Sequence, residues 1–203
     1  MIKLNRFYWF LGGVLALTVA DPTLSHEAAL SEAAKTHLER MIAFYQHGNL
    51  QGAITELREA LVLHPKDPNL HFMLGNALYR HGDLRGASSA YRVTLEHWPH
   101  HFEAHMSRGF TLYELAEFEE AAAEWLAAVR LNPKEPFARA GLAIGLYQLG
   151  QWEDAKEQYA EALTLDYRYG DLEMLRRDIR WNIQALSVVE QLIDQVQTDR
   201  KKN

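Results

Sequence analysis

Apolar residues recur at spacings of three and four through most of this chain, in runs broken by short polar turns, and the strict alternation of a half-buried strand is absent. One run is repeated. "YQHGNLQGAITELREAL" begins at Tyr45 and "YRHGDLRGASSAYRVTL" at Tyr79, and looser copies begin at Tyr113 and Tyr147. The interval is 34 residues throughout, and a fixed period of that length predicts a repeat array.

Each period reads as two antiparallel helices. Gly48, Gly82 and Gly150, with Ala116 in the same column, fall where a first helix ends in a tight turn, and Pro65, Pro99 and Pro133 follow the second helix. Small residues at Ala53, Ala87, Ala121 and Ala155 stand early in the second helix, where a larger side chain would push the pair apart. Leu57, Tyr91, Trp125 and Tyr159 stand one turn further on, as knobs that fill the gap.

Period, small columns, knob and closing proline together resemble the tetratricopeptide repeat. "LHFMLGNALYRHGDLRGASSAY" and "LAIGLYQLGQWEDAKEQYAEAL" carry its core, with four repeats over 34-67, 68-101, 102-135 and 136-169. The resemblance implies an all-α fold, a right-handed superhelix of antiparallel helix pairs. Some positions depart from the pattern. Met41 stands where Gly75 and Gly109 stand later, which predicts looser packing in the first repeat. Arg40 and Arg108 replace Leu74 and Leu142, with stems expected along the core edge and charges in water.

Two segments flank the array. Lys3 and Arg6 precede an uncharged stretch from Phe7 to Ala20, which reads as a signal peptide cut after Thr18-Val19-Ala20 or as an uncleaved N-terminal membrane anchor. Both readings of 1-20 place the remainder outside the cytoplasm, either anchored and facing the extracytoplasmic side or secreted to the periplasm or a lumen. Residues 21-33 are a linker or helix extension. Beyond the repeats, Leu172, Leu175, Ile179, Leu186, Val189, Ile193 and Val196 form one stripe, which predicts a capping helix over 170-197 before a solvated tail at 198-203. Trp181, Ile183 and Leu192 widen that stripe beyond what a cap needs.

Composition narrows the function. A net charge of -6 argues against wrapping a nucleic-acid backbone, and the absence of cysteine removes disulfides, thiol catalysis and zinc-thiolate sites. His97, His100, His101 and His105 invite a metal, but no carboxylate or cysteine completes a set, so an exposed turn and helix-packing histidines are expected instead. "HEAAL" at His26 lacks the second histidine of a metalloprotease helix. No catalytic residue, cofactor or small-molecule substrate is indicated.

What remains is a surface. In the tetratricopeptide family, first helices line a concave groove, and the matching columns here are Leu38, Ile42 and Tyr45; Phe72, Asn76, Tyr79 and Arg80; Met106, Phe110 and Tyr113; Phe137, Ile144 and Tyr147. An aromatic strip of that extent suits a protein partner with an apolar or amphipathic segment, unless the chain fills the groove itself. Chaperone-docking members of the family hold a carboxylate with Lys, Asn and Arg. Only Asn76 matches that set, and Leu38, Phe72 and Met106 replace the lysine.

The expected function is a non-enzymatic scaffold, membrane-anchored or exported, that assists assembly of a larger membrane complex. The alternatives are a permanent structural subunit and, remotely, a metal-dependent enzyme. A further alternative is an assembly factor for a photosynthetic complex, since "LDYRYGDLEMLRRDIRWN" resembles the end of some tetratricopeptide proteins of photosynthetic bacteria.

Overall fold

Asn49 begins a helix here because its side chain accepts a hydrogen bond from the Gly52 amide at 2.9 Å, and comparable devices start most of the helices. The computed structural model describes residues 30–179 and 181–202, so the expectations for residues 1-20, the greater part of the 21-33 linker and Asn203 lie outside the described residues. The described residues are helical with no strand, and they fall into two compact units, one ending at His97 and the other beginning at Trp98.

The first unit holds α1 (Glu32–Gln46), α2 (Leu50–Leu63), α3 (Pro68–His81) and α4 (Leu84–His97). These pack as two antiparallel pairs, α1 on α2 and α3 on α4, with α2 against α3. Asp67 caps α3, accepting from the amides of Asn69 and Leu70 at 2.8 and 3.0 Å, and Pro68 occupies the first helical position, where its missing N–H costs nothing. Met41, Ala53, Ile54, Leu57, Ala77, Ala87 and Tyr91 belong to one buried cluster. Met41 is 2% exposed, so the first repeat closes by another division of volume: a large residue on the first helix meets the smaller knob Leu57. In the second repeat the order is reversed. A Cβ on Gly75 would stand 2.5 Å from the Tyr91 ring.

In the second unit, α5 (Phe102–Glu114) pairs with α6 (Phe118–Leu131), and α7 (Pro136–Gln148) with α8 (Trp152–Leu165). Trp125 is completely buried and lies against Gly109 of its own repeat and Gly141 of the next, 2.6 and 2.9 Å from where their Cβ atoms would be. One knob therefore sets the spacing of α5, α6 and α7. Truncating a ring buried in this way costs about 3–5 kcal/mol. Three of the four tight turns use glycine at positive φ (Gly48 at 72°, Gly82 at 90°, Gly150 at 74°), whereas the α5–α6 turn places Ala116 there at 60°.

After α8 the chain departs from the single helix expected over 170-197. It forms a 3-10 turn (Tyr167–Gly170), a short helix α9 (Leu172–Met174) and a π-helical turn (Leu175–Ile179) before α10 (Ile183–Lys202). Burial explains the break: Tyr169, Leu175 and Trp181 are 1%, 0% and 6% exposed, and no single straight helix buries all three. A new helix then starts at Asn182, whose side chain accepts from the Ala185 amide at 2.8 Å. Of the residues that widen the stripe, Trp181 and Leu192 are buried and Ile183 is exposed.

Candidate functional site

A column of long polar side chains ties the first helices to their partner helices or to the turns that precede them. His37 Nδ1 lies 2.6 Å from Glu56 in the first unit. His71 Nε2 meets the Pro65 carbonyl at 2.8 Å. In the second unit His105 reaches Glu124 at 2.5 Å and the Pro99 carbonyl at 3.0 Å, and Arg139 bonds the Pro133 carbonyl and Gln158 at 3.0 and 2.8 Å. Burial lowers the His105 pKa, but bonds to Glu124 and Pro99 and the Glu124 charge outweigh it and the repulsion from Arg108, so the net shift is upward. Arg108, expected with its charge in water, is instead ion-paired to the same Glu124.

The histidine turn also differs from its expectation. His97 and His100 are exposed, but His101 is only 7% exposed, because its ring caps α5 by accepting from the Ala104 amide at 3.2 Å and packs edge-on against Trp98. Among the described residues no cluster of three or more histidines and acids is placed to hold a metal ion.

The groove columns fare differently in the two units. In the first, Leu38, Ile42, Tyr45, Phe72, Asn76 and Tyr79 are half-buried and Arg80 is exposed. The Arg80 guanidinium stands 4.5 Å over the Tyr45 ring, which joins α1 to α3 across one face by a cation–π contact. Phe72 leans on Tyr91 at 5.8 Å, and Asn76 accepts a hydrogen bond from the Tyr91 hydroxyl at 2.8 Å. Asn76 is thus engaged in orienting a core residue.

In the second unit Met106, Phe110, Tyr113 and Ile144 are 2%, 8%, 3% and 0% exposed, while Phe137 and Tyr147 are half-buried. Phe110 stacks on Phe137 at 5.0 Å, and Trp181, returning from the end of α8, lies on both rings at 6.3 and 6.2 Å. Tyr147 donates to Gln191 of α10, and Gln148 donates to the Tyr113 hydroxyl at 2.9 Å. Burial raises the Tyr113 pKa. The C-terminal segment therefore occupies the face where this unit's aromatic strip was expected.

Gln191 was not anticipated, and nothing in its spacing marks it. Trp152 shares a column with the half-buried Leu50, Leu84 and Phe118, yet it is 61% exposed at an open cleft of about 560 Å³ that also involves Tyr147, Lys156 and Asp194.

Known proteins agree with this geometry. A family profile described as TPR repeat matches residues 43–82, and one described as tetratricopeptide repeat matches residues 72–136. Among solved structures, that of MamA from Desulfovibrio magneticus RS-1 is 20% identical, covering 86% of this chain and 99% of its own, with a TM-score of 0.68. A double mutant titled MamA RS-1 has 19% identity, coverages of 86% and 100%, and the same TM-score. A third, titled MamA MSR-1, is 23% identical over 66% of this chain and 78% of its own, at 0.61. At such identities the likeness speaks for the fold alone. No curated protein matches the sequence significantly. Tetratricopeptide-repeat profiles match residues 43–136, and the helices pack in antiparallel pairs as that repeat requires, so the chain carries tetratricopeptide repeats in an all-α repeat solenoid, a scaffold for protein interactions.

Proposed function

We propose that this chain is a non-enzymatic scaffold, anchored to or exported across a membrane through residues 1–20, that binds an apolar or amphipathic protein segment and helps a larger complex assemble. The observation that carries this reading is the α1–α3 face of the first unit. Tyr45, Phe72 and Tyr79 lie there half-buried beside Ile42, and Arg80 holds the Tyr45 ring in place. Rigid aromatic rings with a cation at the edge are the anchors that protein interfaces use. The second unit's corresponding face is covered by its own chain, so the partner is assigned to the first.

Co-purification from gently solubilised membranes tests this, comparing wild type with Tyr45→Ala/Arg80→Glu and with a Trp152→Ala control. Loss of one defined partner from the first variant alone, with helicity unchanged, is expected. Retention of every partner by that variant would remove the face from consideration.

A second reading, a permanent structural subunit, draws on the exposed apolar side chains Val62, Tyr167 and Ile183 at 75%, 84% and 86%. It requires that the purified chain self-associate or precipitate when separated from its complex.

A further inference from the structure

Trp152 opens α8 with 61% of its surface in water, although Leu50, Leu84 and Phe118 of the same column are half-buried. Its indole borders a cleft of about 560 Å³ lined mainly from α8 and α10, which pack on each other within the second unit. That volume falls in the range of small-ligand sites, about 300–1,000 Å³. Trp152 and Lys156 lie one turn apart on α8, and Asp194 and Thr198 one turn apart on α10, with Gln195 beside them. Tyr147 adds a second ring, its hydroxyl already donating to Gln191. The Lys156 ammonium stands 2.6 Å from Glu153, and both side chains line the cleft.

This mixture selects among ligands. An anion would meet the carboxylates of Glu153 and Asp194, and a cation would meet Lys156. A wholly apolar molecule would strip water from all three charges without replacing its hydrogen bonds. A polyhydroxylated ring avoids each difficulty. Its hydroxyls donate to carboxylates and accept from the ammonium and the amide, while its C–H face lies flat on an indole.

We propose that the cleft between Trp152 and Asp194 is a carbohydrate-binding site that seats a neutral pyranose ring of a β-linked glycan. Equatorial hydroxyls leave the faces of such a ring with C–H bonds alone, so one face stacks on the Trp152 indole. The ring edge turns its hydroxyls toward Asp194, Gln195 and Thr198 on one side and Lys156 on the other. This goes beyond the reading above, because the ligand is a sugar and the site lies in the other unit.

The test titrates the full chain with cellotetraose and with chitotetraose and reads the heat of binding. A polyoxyethylene detergent is used, since glucoside or maltoside head groups would compete for the cleft. Wild type is expected to bind at least one of the two sugars, and the tighter of them tells a plain glucan from an acetamido-sugar polymer. Trp152→Ala is expected to weaken that binding at least about tenfold, and Asp194→Asn about fivefold, with helicity unchanged. Equal affinity for wild type and either variant would place binding elsewhere and overturn the proposal. So would a wild type that binds neither sugar at about 10 mM. Choline chloride is titrated in parallel, and binding of choline without either sugar would make the cleft a cation site and sink the assignment. Tyr45→Ala/Arg80→Glu is expected to leave these titrations unchanged, so failure here and failure of the first-unit reading are separately visible.

Discussion

Gly109 and Trp125 form a matched pair: a Cβ added to Gly109 would stand 2.6 Å from the indole Nε1 of Trp125. The ring also lies 2.9 Å from where a Cβ on Gly141 would stand and is completely buried, so it has little space into which to retreat. Gly109→Ala is therefore expected to lower stability by about 1–3 kcal/mol, as overpacking does. Adding Trp125→Phe to that variant should restore part of the loss. Urea denaturation of the two variants checks both statements, and an unchanged midpoint for Gly109→Ala would contradict the packing described.

Ala116 carries a φ of 60° in a turn where three sister repeats use glycine. An L-residue with a Cβ is held there against a local penalty of about 1–2 kcal/mol. Ala116→Gly removes that penalty, partly offset by the greater freedom of glycine in the unfolded chain. A rise in the thermal midpoint is expected, and a fall would mean that the Ala116 methyl group makes contacts worth more than the strain.

The His105–Glu124 pair makes stability depend on pH. Both ring nitrogens face acceptors, Glu124 at 2.5 Å and the Pro99 carbonyl at 3.0 Å, an arrangement that suits the imidazolium. Because the folded pKa is raised above 6.5, the contribution is fully present below about that pH and is lost as pH climbs through the folded value. Wild type should lose more stability than His105→Gln between mildly acidic and mildly alkaline buffer. Chemical denaturation of both proteins at the two pH values reads the difference, and parallel behaviour would rule the pair out.

Asn182 starts α10 through its bond to the Ala185 amide. Asn182→Ala should cost about 1 kcal/mol, with the loss visible as faster hydrogen exchange in the first turn of α10. Unchanged exchange there would show that Trp181 burial alone fixes the helix start.

The repeats were legible in the sequence because packing imposes them. A knob as large as Trp125 demands small partners, and Gly109 and Gly141 supply them at fixed spacing. The terminal segment was only partly legible. Leu172, Leu175, Leu186 and Val189 do keep helical spacing, yet periodicity carries no sign of where the backbone breaks. Asn182 was the available signal, a capping residue inside the apparent stripe. The groove columns could be counted, but their occupancy could not, because it depends on Trp181 folding back onto Phe110 and Phe137. Tyr113 and Tyr147 share a column with Tyr45 and Tyr79 and still differ in environment for that reason.

The most direct test of the central claim places a photo-crosslinking amino acid at Arg80 on the first unit's face, or at Trp152 on the second unit, in chains expressed in the native host. Irradiation is expected to join one defined protein to the chain substituted at Arg80, and none to that substituted at Trp152. A partner captured from Trp152 alone, or none from Arg80 in a folded chain, would contradict the account.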